Sequence, residues 1–282
     1  MMSAMAVACV LLVLQPAPEP VPARSVPGEP PAARDIFPGV RVDLAAKVVE
    51  FDGVVPMDCH DPQTPHVYLE LLVCGPDSRE HESLVMTRAK PSHIHAALLM
   101  LGLEPGAPGR FESRDGRAVA IAAAGPEVAV EFEYAGGDGK KVIARPAEWI
   151  KSAKDGRGFD GAGGTGVAKT PPVWVFSGSR FVKRPDPATG QHREVYDADG
   201  TGVVVGLHTF GSEVVGLRQA LSPDSARLEP EWIADTARVP KMGTSVVVRL
   251  RSAGDRGPGA VPALPRQTPS PPPATSPQPK RP

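Results

Sequence analysis

Apolar residues along the middle of the chain recur mainly at every second position, in short runs bounded by turn formers. Val40 to Leu44 alternates, and Lys47 to Val55 continues in β-branched residues. Val67 to Cys74 is apolar apart from Tyr68 and Glu70. Glu82 to Thr87, Val128 to Tyr134, Val173 to Phe176, Gly202 to Leu207 and Ser245 to Leu250 are short and Val-rich. Such runs predict strands. Asp115-Gly116, Asp138-Gly139 and Asp199-Gly200 supply the left-handed backbone positions of tight hairpins.

One stretch follows a helical period instead. Pro91 suits a first helical position, Ile94, Ala97, Leu98 and Leu101 share a face, and Gly102 is placed to end the helix. Ala96, Leu99 and Met100 make the opposite face apolar too, which predicts a helix buried on both sides over about 91–102. The fold expected is therefore β-rich α+β, with antiparallel or mixed sheets packed on one buried helix. Two similar halves divided near 152–172 remain open. Pro146-Ala147-Glu148-Trp149-Ile150 is echoed by Pro230-Glu231-Trp232-Ile233. The plainer account of that echo is two independent proline-started turns, each anchoring a tryptophan.

The ends lack these periods. Ala4 to Leu14 is unbroken apolar sequence, too short to span a bilayer and followed by Pro16, Pro18, Pro20 and Pro22. It predicts a signal peptide over 1–17, although no Lys or Arg precedes it. A proline-rich linker is expected over 18–38, the ordered body over 39–252, and a disordered proline-rich tail over 253–282. The expected location is outside the cytoplasm: periplasm, cell envelope or extracellular space. Losing the leader removes Cys9 and leaves Cys59 and Cys74 for one disulfide. That bond would close a loop of about fifteen residues. It requires that the flanking strands not form a simple hairpin, which would hold the sulfurs some 20 Å apart. A zinc site from Cys59, His60, His66 and Cys74 needs the same folding back and has no recognised ligand spacing.

The formal net charge is −1, so no surplus of cations marks a nucleic-acid or acidic-membrane partner. Aromatic residues make up 5% of the chain, which leaves Val, Leu and Ile to fill the core. No transmembrane segment is expected, and neither a cofactor nor a particular partner is indicated.

The segment His81-Glu82-Ser83-Leu84, continued by Ala89-Lys90-Pro91-Ser92-His93-Ile94-His95-Ala96-Ala97-Leu98-Leu99-Met100-Leu101-Gly102, resembles the core signature of the YdjY-domain family of uncharacterised exported bacterial, often planctomycete, proteins. Tyr68-Leu69-Glu70, Val175-Phe176-Ser177-Gly178-Ser179-Arg180-Phe181, Asp199-Gly200-Thr201-Gly202 and Thr209-Phe210-Gly211 are similar to the same pattern. The resemblance implies an exported or envelope setting, with no enzyme activity or ligand to carry over.

His81, Glu82, Ser83, His93 and His95 are the candidate binding residues. Zinc sites use His and Glu. However, His81 and Glu82 would point to opposite faces of a strand, and His93 and His95 would lie about 200° apart around a helix. The plainer account puts His81 and Ser83 on one strand face near the helix start, with His93 and His95 flanking its apolar stripe. Ser83 beside His81 lacks a nucleophile elbow and an orienting acid. Gly161-Ala162-Gly163-Gly164-Thr165-Gly166 matches a dinucleotide fingerprint without the strand and helix that give it meaning. Asp197 to Gly202 matches half a calcium loop, but His208 stands where a bidentate Glu is needed, and a hairpin turn fits better. No catalytic residue is assigned. The leading expectation is a non-catalytic exported binding or structural module. The alternative is a metal-dependent enzyme using part of His81, Glu82, His93 and His95.

Overall fold

Seven of the eight expected strands become the wall of a closed β-barrel. The computed structural model describes residues 33–64, 66–159, 172–186, 188–225 and 229–254. The barrel strands are β1 (Val48–Val54), β2 (Leu71–Cys74), β3 (Ser83–Thr87), β4 (Glu127–Ala135), β5 (Trp174–Phe176), β6 (Val203–Gly206), β7 (Val215–Leu217) and β8 (Ser245–Ser252). Around the wall the order is β1-β8-β4-β5-β7-β6-β2-β3, and β3 returns to β1. Neighbours are antiparallel except β2 with β3 and β6 with β7. β7, only three residues long, is the strand the periodicity misses.

The long strands alternate cleanly. Val128, Val130 and Phe132 of β4 and Val246, Val248 and Leu250 of β8 face the core. Their outward partners form a ladder of charges across the wall: Arg41 to Glu50 (3.8 Å), Glu50 to Arg249 (3.0 Å), Arg249 to Glu133 (3.2 Å) and Glu133 to Lys141 (2.7 Å). β2, β5, β6 and β7 are buried along their whole length, so they read as continuous apolar runs.

Closure rests on a short seam. Gly53 pairs with Thr87 and Val54 with Met86, and the Thr87 hydroxyl donates to the Asp52 carbonyl at 2.6 Å. A Cβ on Gly53 would lie 2.5 Å from Val85 Cγ1, so only glycine lets the two strands meet. Beyond the seam, Val40–Asp43 pairs with the first part of β1, and Arg34–Phe37 pairs outside it. Lys141–Ala144 extends β4. Two hairpins, Arg110–Arg114 with Arg117–Ile121 and Phe181–Pro185 with His192–Tyr196, stand off the barrel.

The expected α+β class is corrected: the fold is mostly β, 41% strand and 11% helical, around an eight-stranded closed barrel. The helix α1 (Pro91–Met100) starts at Pro91 as expected and gives way to Gly102 at φ +80°. It lies against Val40–Asp43 and β1, and it buries Pro91, Ile94, Ala97 and Leu98. Its second face is not covered, since Leu99 is 44% and Met100 43% exposed. The core is made by the wall itself, so no further layer is needed over the helix. Nor does the chain divide near 152–172: β4 lies between β8 and β5, which interleaves strands from both sides of that segment.

Other expectations change with it. Arg34–Phe37, inside the expected linker, is a strand. The leader, the linker up to residue 32, the glycine-rich 161–166 and the tail from 255 lie outside the described residues. Asp199-Gly200 makes no hairpin. It belongs to a short helix, α2 (Asp197–Thr201), closed by Gly202 at φ +71°. The Asp197 carboxylate takes Arg180 (2.9 Å) and Arg184 (2.7 Å), and Asp199 takes the Ser92 N–H (2.8 Å) and Lys90 (3.2 Å). Those oxygens are committed to tying α2 to the hairpin and to α1. The tryptophan echo is neither a repeat nor two independent turns. Pro146–Trp149 is a 3-10 turn leading into Ile150–Ser152, which pairs antiparallel with Trp232–Ala234.

Cys59 and Cys74 are both free and buried, so the expected disulfide is not formed. Cys59 sits in the main core, and Cys74 in a small separate cluster with Leu71 and Val203. β2 does avoid the simple hairpin, because it pairs with β3 and β6 rather than β1, yet Asp58 to His66 does not bring the thiols together. No helix among the described residues is long and apolar enough to cross a membrane.

Candidate functional site

Each parallel strand pair is joined by a connection of only eight residues, 75–82 between β2 and β3 and 207–214 between β6 and β7. These two connections build the site with Glu70, the residue before β2. Glu70 donates its N–H to the Glu82 carbonyl (2.9 Å), and its own carbonyl accepts N–H groups from Leu207 (3.1 Å) and His208 (2.9 Å). Glu70, Glu82 and His208 are thereby brought together by backbone bonds at one end of three barrel strands.

Arg79 precedes the 3-10 turn Glu80–Glu82. Its guanidinium pairs with the Glu70 carboxylate, stands 3.6 Å from that of Glu82, and lies 4.5 Å from the centre of the Phe210 ring. Burial and a hydrogen bond to Glu82 push Glu70 up to about 7, against the pull of Arg79. Two carboxyl groups in contact cannot both ionise freely, so the pair holds a proton near neutral pH. Burial pushes His208 down to about 4, opposed by the backbone of Leu69 and Glu70 and by the Glu82 charge. The imidazole is therefore neutral. It is 9% exposed, and its Nδ1 is buried with no hydrogen-bond partner.

The loop carrying His208 is fixed from behind. Glu213, 1% exposed, accepts N–H groups from Phe210 and Gly211. Gly206 leaves room for it, since a Cβ there would lie 2.6 Å from Glu213 Cγ. Thr209 and Leu221 exchange hydrogen bonds, N–H to carbonyl at 2.8 Å and N–H to hydroxyl at 3.1 Å. That places Ser222 and Pro223 as a facing wall. Between the walls is a cavity of about 190 Å³ lined by Glu70, Glu82, His208, Tyr68, Trp232 and Glu231, among others. Two larger grooves, about 460 and 490 Å³, have no histidine in their lining.

Of the five candidate binding residues only Glu82 lines this cavity. His81 projects outward from the 3-10 turn, 76% exposed, with Nε2 3.9 Å from Glu82. Ser83 is fully buried and donates to the Arg79 carbonyl at 2.6 Å, so it and His81 do not share a strand face. His93 stacks on Phe37 at 4.9 Å. His95 Nδ1 is 2.8 Å from the Tyr196 hydroxyl, and its ring meets Phe176 edge-on at 5.0 Å. β3, five residues and so about 16 Å long, lies between Glu82 and the helix that carries these two histidines. The four proposed ligands do not converge. Among the described residues no group of three or more His, Cys, Asp or Glu side chains is arranged to hold a metal.

The residues that do converge with Glu82 are Glu70, Arg79 and His208. Glu70 carried a signal, as a carboxylate inside an otherwise apolar run. His208 and Arg79 carried none, because only the barrel register brings them there.

A family model described as the YdjY domain matches residues 40–251, from the Val40–Asp43 strand into β8. No curated protein and no solved structure matches the chain.

Proposed function

The chain belongs to the YdjY domain family, and we propose that it serves as an exported, non-catalytic binding module whose ligand site is the cavity beside Glu70 and Glu82. One observation carries the site assignment: a half-buried carboxyl pair and a buried, neutral imidazole line the same small cavity. A carboxyl group raised to about 7 beside a second carboxyl, in the wall of a cavity, is the kind of perturbed group that marks a functional site. Support for a non-catalytic role comes from the hydroxyl and imidazole groups best placed in sequence for chemistry. Ser83 and His95 are bound to structural neighbours instead. Export is supported by the apolar run Ala4 to Leu14.

The binding reading is tested by screening small polar solutes for thermal stabilisation of the wild-type chain and of Glu70→Gln. A solute that stabilises the wild type and not the variant is the expected result. A screen in which every hit stabilises both equally would move the site elsewhere. Export is tested by N-terminal sequencing of the chain from its native host. The expected start lies after the apolar run, and an intact Met1 on cytoplasmic protein would refute it.

A further inference from the structure

We infer that the groove along the Arg110–Arg114 strand takes an extended peptide, which joins that hairpin as a third strand and carries acidic residues at alternate positions. This goes beyond the cavity beside Glu70 and does not depend on it. The hairpin turns at Asp115-Gly116, with φ of +52° and +73°. In that two-residue geometry the flanking residues, Arg114 and Arg117, exchange hydrogen bonds. Bonded and non-bonded pairs alternate along an antiparallel ladder. Glu112 and Arg110 therefore bond to Val119 and Ile121, while Phe111 and Ser113 turn their N–H and C=O groups outward. Among the described residues those outward groups have no partner.

A groove of about 490 Å³ follows this edge. Phe111, Glu112 and Ser113 all line it, although successive side chains leave a strand on opposite faces. Consecutive residues share one lining where a groove runs along the edge of a strand and meets its backbone. Phe210 and Pro223 stand in the same lining, with Ala118 directly across the hairpin from Ser113. The site thus offers backbone donors and acceptors two residues apart, beside apolar surface. Its complement is an extended chain whose apolar side chains recur at every second position.

Charge sets the positions between. Arg110, Glu112 and Arg114 share the other face of the strand, and the one carboxylate takes Arg110 at 2.7 Å and Arg114 at 2.8 Å. Arg117, the cross-strand neighbour of Arg114, adds a third guanidinium to that face. Peptide residues opposite Arg110 and Arg114 should therefore be acidic, since opposite charges on facing strand positions attract. The same row argues against a second copy of this chain. Two such edges paired about their centres would set Arg110 against Arg114 and Glu112 against itself, which places like charges directly opposite one another.

The test is titration of the full chain with acetyl-Glu-Val-Thr-Leu-Glu amide, followed by heat and by the amide resonances of Phe111 and Ser113. In this peptide the two Glu residues meet Arg110 and Arg114, and Val and Leu meet the groove. Saturable binding that shifts both amides is the expected result. Methylating the Val and Leu backbone nitrogens removes two donors and should weaken binding about tenfold, whereas methylating the Thr nitrogen, which points away, should be tolerated. Ser113→Pro removes a donor from the chain itself and should weaken binding several-fold. Should that variant fail to fold, Arg114→Glu is expected to weaken binding about fivefold. Equal binding by the doubly methylated peptide, or by an analogue with Lys in place of both Glu residues, would overturn the inference. So would silence at both amides, or shifts that appear with rising protein concentration and no peptide, which would give the edge to a second copy.

Discussion

Glu70 and His208 occupy one cavity and are displaced in opposite directions, so they act against each other on stability. Glu70 rises from an ordinary 4.5 to about 7 in the folded chain. Its contribution is complete below pH 4.5 and is lost as the pH rises through 7. His208 falls from 6.5 to about 4. Its contribution is complete above pH 6.5 and is lost as the pH falls through 4. At about 1.4 kcal/mol per pH unit, each displacement is worth at most about 3 kcal/mol. In the shared window, between about pH 4.5 and 6.5, the two nearly cancel in the wild type. Glu70→Gln keeps a hydrogen-bonding group opposite Glu82 but removes the titration. It should leave the His208 effect exposed, with stability relative to wild type falling by up to about 3 kcal/mol between pH 7 and 4. His208→Gln should do the reverse, with relative stability rising by a similar amount as the pH falls from about 6.5 to 4. Urea unfolding followed by tryptophan fluorescence at half-unit pH steps reads both, and differences from wild type remove the titration of other groups. Parallel profiles for wild type and Glu70→Gln would refute the assignment of that proton to Glu70.

Leu98→Ala should cost about 2–5 kcal/mol in the same assay, whereas Leu99→Asp should cost under about 1 kcal/mol, as surface changes usually do. A severe Leu99→Asp would mean that face of α1 is covered in solution. Gly53→Ala overfills the seam that closes the barrel, so a loss of about 1–3 kcal/mol is expected; an unchanged urea midpoint would show that β1 and β3 can separate there at little cost. Alkylation mapped by mass spectrometry should modify Cys59 and Cys74 only after unfolding, and both without prior reduction. Recovery of a linked peptide pair from unreduced protein would contradict the free thiols.

The strands were legible because burial on one face leaves a local mark, as in Val128, Val130 and Phe132 or Val246, Val248 and Leu250. The helix start was legible in Pro91 for the same reason, since one residue type suits one backbone position. The exposed Leu99 and Met100 misled, because apolar residues on a surface helix face leave the same mark as buried ones. Closure left no local mark at all. It depends on which strands pair, and the chain conceals this by joining both parallel pairs through eight-residue connections. Parallel neighbours ordinarily need a crossover of about a dozen residues or more, so links this short read as hairpins.

The same two connections explain why the site was hard to find. In a hairpin, 75–82 and 207–214 would be surface turns at separate places, and Arg79, Glu82 and His208 would be unrelated. With parallel pairing, each connection must travel back along the barrel, and both pass Glu70 at the end of β2. The His81 and Glu82 pair drew attention because histidine and carboxylate stand side by side in sequence. Adjacent residues, however, diverge on leaving the 3-10 turn: His81 meets solvent and Glu82 meets the cavity. What converges is spaced by twelve residues from Glu70 to Glu82 and by over a hundred more to His208. A carboxylate in the apolar run Val67–Cys74 was therefore the more informative anomaly, since burying a charge demands partners, and the barrel supplies Arg79 and Glu82 as those partners.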